Sequence, residues 1–550
     1  MSKKVYISNK DIKSGNKLIF ADLLPDDYIA SKVPIILAKQ GDDYYELGRE
    51  VENEGWVEFI DISNIIGMEA YKRTAQFIFI KAALDIFNNA KITIEHSIDK
   101  GIYGEIYKDT PLKEDELKLI KSRMDELISK NIKIEKEKVS KERAMKIFKS
   151  YGMEDKIRLI KYVESDELKL YKIEDRYDYF YGDMAYSTGA LKTFDLKFYN
   201  TGFVIRLPRT NNPTILNPFK EQRSLYSVFK ETAKWFNILG VDDVGALNEK
   251  LDNGEITDII RVSEALHEKK IAMIADKFSD KKEAKIILVA GPSSSGKTTF
   301  TKRLGIQLRV NGLKPVMISL DDYFIDRDKT PLGEDGKPDF EALEALDLKL
   351  FNQNLSDLLK GKEVEIPVYN FKTGKREWCG NKVKLGDDGV LVVEGIHGLN
   401  DNLTLSIDDK FKFKIYISAL TQLNLDNHNK ISTTDVRKVR RIVRDSLSRG
   451  NGAERTLSMW PSIKRGEEKN IFVYQEEADV MFNSTLVYEL SVLKQLALKE
   501  LSKIDTDSEI YCEAKRLKKF LGFFKEIDFK EVPDNSILRE FIGGSCFYKY

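Results

Sequence analysis

The chain has 550 residues, 42% apolar and 32% charged, a balance that excludes general disorder and leaves room for two to four folded domains. Lysine plus arginine equals aspartate plus glutamate at 89 each, so no global basic excess argues for coating a nucleic acid or an anionic membrane, and any anion site must be local. Cys379, Cys512 and Cys546 lie far apart without paired spacing, which argues against a disulfide framework or a thiolate zinc site and fits a reducing cytoplasm.

Met1 to Tyr6 carries Lys3 and Lys4 with no apolar run behind them, and no stretch of about 18 apolar residues occurs elsewhere, so neither export nor a membrane span is expected. Residues 1–62 mix short β-rich runs, such as Val33 to Ala38, with Gly and Asp-Asp turns, which predicts a small α+β module. A second module over 63–205 opens with apolar residues at helical spacing from Met68 to Phe87. A strand, Gly turn and strand then follow over Lys91 to Ile106. Lys113 to Ser150 is dense in Lys, Glu and Leu, as expected of one or two solvent-facing helices. Three prolines and three asparagines between Arg206 and Pro218 predict a connector, which continues through helices to about residue 280.

From residue 281 to 500 the pattern changes. Ile286 to Ala290, Val316 to Leu320, Val390 to Val393 and Phe411 to Ile417 are short apolar runs separated by helical segments, which predicts an α/β domain with a parallel sheet covered on both faces. The tail, 501–550, is apolar enough to dock on a core and has no evident chemistry. The chain shows no repeat of fixed period.

Gly291, Pro292, Ser293, Ser294, Ser295, Gly296, Lys297 and Thr298 form a complete G-x-x-x-x-G-K-[ST] pattern between a strand and a helix that begins at about Thr299. The glycines allow close backbone approach, so successive amides can face phosphate oxygens with the helix amino terminus behind them. Lys297 can then meet the β- and γ-phosphates, and Thr298 can ligate Mg²⁺. Asp321 and Asp322, followed by Tyr323, stand at the carboxyl end of the next strand, where open α/β sheets bind ligands; a carboxylate there suits a general base. Glu394, after another buried-type strand, suits the metal. Residues 437–465 hold nine Lys or Arg against two acids, Asp445 and Glu454, and predict a phosphate-gripping mobile lid braced by Trp460 and Pro461. His96, His267, His397 and His428 are scattered and are read as core or surface residues.

Together with Asp339 to Leu343, Pro367 to Phe371, Glu394-Gly395, Arg441 to Asp445, Arg449-Gly450 and Ala478 to Ser484, these motifs resemble the uridine kinase and phosphoribulokinase family over roughly Lys285 to Tyr488. The resemblance implies an ATP- and Mg²⁺-dependent nucleoside kinase with Asp321 as catalytic base. Asp322, Tyr323, Glu341 and Tyr369 fall toward the acceptor, and Arg441, Arg444 and Arg449 match lid arginines: Arg441 toward substrate, Arg444 catalytic, and Arg449, like Thr299, toward the nucleotide. Gly374 stands where uridine kinases place a base-reading His. A phosphoribulokinase-like sugar-phosphate kinase and an RNA-associated regulatory NTPase are the alternatives.

Gly101 to Ile106 and Tyr177 to Gly189 resemble the leading domains of threonyl-tRNA synthetase, a TGS-like module followed by the domain that edits mischarged tRNA. Where the synthetase has His-x-x-x-His and Cys-x-x-x-His pairs, this chain has Arg73, Phe77, Phe180 and Met184, none of which replaces an imidazole or thiolate ligand. The resemblance therefore implies a scaffold kept for binding or regulation. The expected partner is a nucleoside or related small molecule and not a membrane; nucleic acid at the amino-terminal half and an oligomer remain open expectations.

Overall fold

β-branched and aromatic runs near the amino terminus pair into an antiparallel sheet in the order Lys4–Ile7, Gly55–Asp61, Ile35–Gln40, Asp43–Glu46. The computed structural model describes residues 4–8, 12, 17–26, 31–333 and 336–548, so the expectations resting on Met1, Lys3 and the last two residues of the tail lie outside the described residues. The contacts divide the chain into two compact units. Residues 1–222, 242–249 and 422–431 form the first; 223–241, 250–421 and 432–550 form the second.

In the first unit, Asn64 caps the helix Ile65–Ile86 by accepting from the Ile66 amide at 2.8 Å. Phe77, Ile78, Phe79 and Ile80 are all fully buried, so this helix runs through the core and is covered on every side. A second antiparallel sheet, in the order Asp195–Tyr199, Gly202–Arg206, Gly101–Tyr107, Lys91–Ile98, packs on it through Phe203, whose ring stacks on Phe79 at 4.0 Å. The charge-dense stretch resolves into the helix Glu114–Ser129, the strand Glu135–Ser140 and the helix Lys141–Ser150, so it carries a strand as well as helices. That strand continues into a third sheet with Glu167–Ile173 and Arg176–Asp178.

Residues 422–431 enter the first unit from far along the chain as a hairpin of Asn424–Asp426 and Asn429–Lys430. Lys156 is fully buried and lies 3.0 Å from both Asp178 and Asp426, themselves fully buried. Burial alone would raise the Asp178 carboxyl, but His428 at 2.7 Å and Lys156 hold it well below the usual carboxylate range. Asp426 also accepts from the His428 and Asn429 amides at 2.8 and 3.0 Å, so every member of the cluster has hydrogen-bonding partners.

The second unit is built on five parallel strands in the order Lys314–Ser319, Gly389–Glu394, Ile286–Ala290, Lys412–Ser418, Val480–Asn483. The central strand Ile286–Ala290 is buried at every residue, as expected of a sheet covered on both faces. Pairing sets Glu394 beside Val289 and Ser319 beside Glu394, so three neighbouring strands release their chains at one edge. The expected helical stretch before this sheet is three helices, Arg223–Leu239, Val244–Asp252 and Ile256–Asp280. Among the described residues no helix is long and apolar enough to cross a membrane.

The Lys156 cluster gives a stability test. Lys156→Met leaves two buried carboxylates without their cation, and urea denaturation followed by circular dichroism should show a loss of about 3–5 kcal/mol. A loss below about 1 kcal/mol, the level of an exposed pair, would show that the cluster contributes nothing of the kind.

Candidate active site

The loop after Ile286–Ala290 turns sharply because two of its residues, Ser294 and Gly296, take positive φ of 60° and 85°. A Cβ at Gly291 would stand 1.9 Å from the Ile417 carbonyl oxygen, so only glycine fits where the loop passes the neighbouring strand. The helix Lys297–Val310 follows, and Gly296 at its start offers no side-chain cap. Its amides and those of the loop find carboxylates from elsewhere. Ser293 N donates to Glu467 Oε1 at 2.9 Å, and Thr299 N and Oγ1 both donate to Glu540 Oε2 at 3.1 Å. Lys297 Nζ donates to the Gly291 and Pro292 carbonyls at 3.0 and 3.2 Å, and Ser295 N donates to Pro292 O at 3.3 Å. Thr298 Oγ1 donates to Glu394 Oε1 at 3.2 Å; burial pushes the Glu394 carboxyl up to about 7, against the pull of Lys297.

Asp321, Asp322 and Tyr323 lie in a single 3₁₀ turn, Leu320–Tyr323, at the end of the adjoining strand, where Ser319 Oγ accepts from the Asp321 amide at 3.3 Å. The charge of Asp321 acts on Glu341, Glu394 and Arg449. The turn sends its neighbours elsewhere. Asp322 accepts from the Tyr369 amide at 3.3 Å, and burial raises its carboxyl. Tyr323 was expected toward the acceptor; instead it is fully buried against Phe351, with its hydroxyl accepting from Asn354 at 3.0 Å. Tyr369 is 6% exposed and packs with Phe324 and Phe371 at 5.5 and 5.1 Å between ring centres, leaving Phe371 as the open face of the cluster at 52% exposed. Gly374 has φ of 70°, and Arg327 Nε lies 2.8 Å from where its Cβ would be.

The basic stretch expected as a mobile lid packs its first arginines inward. In the helix Thr433–Arg444, Arg437, Arg440, Arg441 and Arg444 are each under a tenth exposed and each has an acid: Glu467 for Arg437, Glu489 for Arg440, and Asp445 for Arg441 at 3.1 Å and Arg444 at 2.8 Å. These four cations are paired inside the unit because guanidinium groups this deep need carboxylates. Arg441 also donates to Ser293 Oγ at 2.5 Å, which brings it onto the loop. A π-turn, Asp445–Arg449, follows and ends at Gly450; Arg449 keeps 45% of its side chain exposed, above the Phe371 ring. Trp460 lies under Arg437, and Pro461 is accommodated within the helix Ala453–Asn470.

A family model described as the phosphoribulokinase / uridine kinase family matches residues 286–491. Over 180 residues, 33% of this chain and 78% of the relative, the sequence is 31% identical to a uridine kinase of Macrococcus caseolyticus. The chain belongs to the phosphoribulokinase / uridine kinase family. Among solved structures, one described as "a possible uridine kinase" from Bacillus stearothermophilus covers 36% of this chain and 89% of its own at 21% identity, with a TM-score of 0.25. The amino-terminal region is similar to threonine–tRNA ligases, with 29% identity over 163 residues to that of Syntrophotalea carbinolica; the match spans 29% of this chain and 26% of the ligase. The chain thus spans about a quarter of that ligase.

The four positions that the resemblance sets against the synthetase's His and Cys pairs are packed into the first unit. Phe77 and Met184 are fully buried, Phe180 packs on Phe77 at 5.3 Å, and Arg73 donates to the Asp183 carbonyl at 2.8 Å. His428, from the inserted hairpin, stacks on Phe180, while Asn429 accepts from the Tyr181 amide and donates to the Tyr179 carbonyl, both at 2.9 Å. All four histidines are buried, and His428 belongs to an organised cluster that its scattered placement in the sequence does not reveal. Glu467 on the loop, and Glu540 and Tyr548 on Thr299 at the start of the helix, were also missed. The available signal was an acid set among apolar residues in Ile537-Leu-Arg-Glu-Phe-Ile542.

Glu341 carries a pH dependence. Burial and the neighbouring Glu467 push its carboxyl up to about 7, against Arg441 and Lys297, with Asp321 adding to the rise. The folded protein therefore keeps this proton to higher pH than the unfolded chain, so stability from this group falls as pH rises from about 4.5 to 7. Glu341→Gln removes the titration. Its stability relative to the unaltered protein should improve by on the order of 2–3 kcal/mol between pH 4.5 and 8.5 in denaturation curves. A difference that stays constant across this range would contradict the assignment.

Proposed function

We propose that this protein is an ATP-dependent nucleoside kinase that transfers the γ-phosphate of ATP to a ribose 5'-hydroxyl. The observation that carries the reading is the convergence, at one edge of a parallel sheet, of the 291–298 loop, Asp321 and Glu394 from three neighbouring strands. Family membership supports phosphoryl transfer, and the uridine kinase relatives support a nucleoside acceptor.

The loop amides and the helix amino terminus bind the phosphate chain, and Lys297, held on the Gly291 and Pro292 carbonyls, adds a positive charge beside them. Thr298 and Glu394 fit a magnesium ion: a hydroxyl and a buried carboxylate already face each other at 3.2 Å beside the loop. Bound there, Mg²⁺ would neutralise charge on the phosphate oxygens. Asp321 orients the acceptor hydroxyl and takes its proton, and Glu341 and Tyr369 hold the acceptor. Arg441, already on Ser293, and Arg444, fixed by Asp445, supply charge where it develops, with Arg449 beside the nucleotide. Asp322 helps indirectly by fixing the Tyr369 backbone.

One observation favours a second reading. Arg327 beside Gly374 sets a cation near the Tyr369 cluster, which would suit an acceptor that already carries phosphate. Incubation with ATP, Mg²⁺ and a panel of nucleosides and phosphosugars, followed by mass detection of products, separates the two. A nucleoside monophosphate is expected, and a bisphosphorylated sugar would favour the second. With the acceptor found, Asp321→Asn and Lys297→Ala should each cut turnover by about a hundredfold or more while the circular dichroism spectrum is unchanged. Near-normal turnover in either variant would overturn the role assigned to that residue.

A further inference from the structure

The carboxyl-terminal segment does more than cover a core. Ile537, Leu538 and Phe541 are buried, and the Arg440 guanidinium lies over the Phe541 ring at 5.0 Å, so the segment from Ser536 to Tyr548 is fastened to the arginine helix as a strap. It reaches the phosphate loop at three points. Ile537 lies against Gly296, where an added Cβ would meet its Cγ2 at 2.5 Å. Glu540, 7% exposed, accepts from both Thr299 N and Thr299 Oγ1 at 3.1 Å. The Tyr548 hydroxyl completes the set at 2.6 Å from Thr299 Oγ1.

The Thr299 N–H is among the first amides of the helix that begins at Lys297, and such amides are the donors a phosphate chain uses. Gly296 cannot cap it, and the donor is satisfied by a carboxylate 241 residues away in the chain. The charge of Glu540 also acts on Glu394 and Arg449, which places it among the groups around the loop. A carboxylate and a phosphate oxygen cannot share one donor at hydrogen-bonding distance without mutual repulsion.

We propose that this strap is a built-in competitor of the nucleotide: Glu540 occupies an anion position of the loop, and a nucleoside triphosphate must displace it to bind. This inference rests on reading the loop as a nucleotide site. It makes nucleotide entry and release of the strap one event, so apparent nucleotide affinity scales with the fraction of molecules in which the strap is released, and anything that holds it down lowers that affinity.

The test is a fluorescence titration of the full chain with a fluorescent ATP analogue and Mg²⁺. Glu540→Gln, which keeps the shape and an acceptor oxygen but removes the charge, should bind about tenfold tighter than the unaltered protein, the equivalent of replacing a charge-assisted hydrogen bond by a weaker neutral one. Tyr548→Phe, a milder change at the edge of the contact, should move affinity in the same direction by about threefold. In the unaltered protein, hydrogen exchange over residues 536–548 should quicken when ATP and Mg²⁺ are added. Unchanged or weaker binding in the Gln variant, or slower exchange in the strap, would overturn the proposal by showing the strap to be a cap or a wall of the nucleotide pocket. If neither the unaltered chain nor the variants bind the analogue, the reading of the loop itself has failed and the strap proposal fails with it.

Discussion

The second unit depends on a turn that leaves no space for a side chain at Gly291. Between Ala290 and Lys297 the backbone must pass within van der Waals reach of the Ile417 carbonyl and then reverse through left-handed conformations at Ser294 and Gly296. A backbone bent this way points several amides into one concavity, and amides so aligned attract negative charge. In this chain the concavity is never far from a carboxylate: Glu467 takes the Ser293 amide, Glu540 takes Thr299, and Glu394 holds the Thr298 hydroxyl. Acids at an anion site lose their usual affinity for ionisation when buried together, and so Glu341 and Glu394 are pushed to about 7.

The arginine helix answers the same electrostatic demand from the other side. Four guanidinium groups could not remain under a tenth exposed without partners, and Glu467, Glu489 and Asp445 meet that need. Asp445 is the pivot, because it faces Arg441, Arg444 and Arg449 across a π-turn that ends in a left-handed glycine. Loss of either member of such a buried pair costs far more than loss of an exposed one. The arginines are held in place before any ligand arrives, which lowers the ordering cost at the moment of reaction.

What could be read in the sequence was local. The 291–298 pattern, the strands around it and Asp321 at a strand end depend on neighbours a few residues away, and they are where the periodicity and spacing placed them. Tyr323 went astray because a single 3₁₀ turn rotates successive residues to different sides, so Asp321 faces the site while Tyr323 fills the core beside Phe351. The stretch expected as a mobile lid is a paired, buried helix because two of its acids, Glu467 and Glu489, lie beyond residues 437–465 and Asp445 within them serves several arginines. Glu540 and the hairpin 422–431 could not be foreseen, since each acts on residues more than two hundred positions away. The chain leaves the second unit after Thr421, gives that hairpin to the first, and re-enters at Ser432, which caps the arginine helix.

Every functional role assigned to the second unit requires that the turn at 291–298 grip a triphosphate. Isothermal calorimetry of the purified chain with ATP and Mg²⁺ tests this directly, with Gly291→Ala as the comparison, since a Cβ there would collide with the Ile417 carbonyl. Saturable heat near one site per chain, lost in the alanine variant while the protein stays folded, is the predicted result. Absence of saturable heat from the unaltered chain, or full retention of it in Gly291→Ala, would contradict the claim.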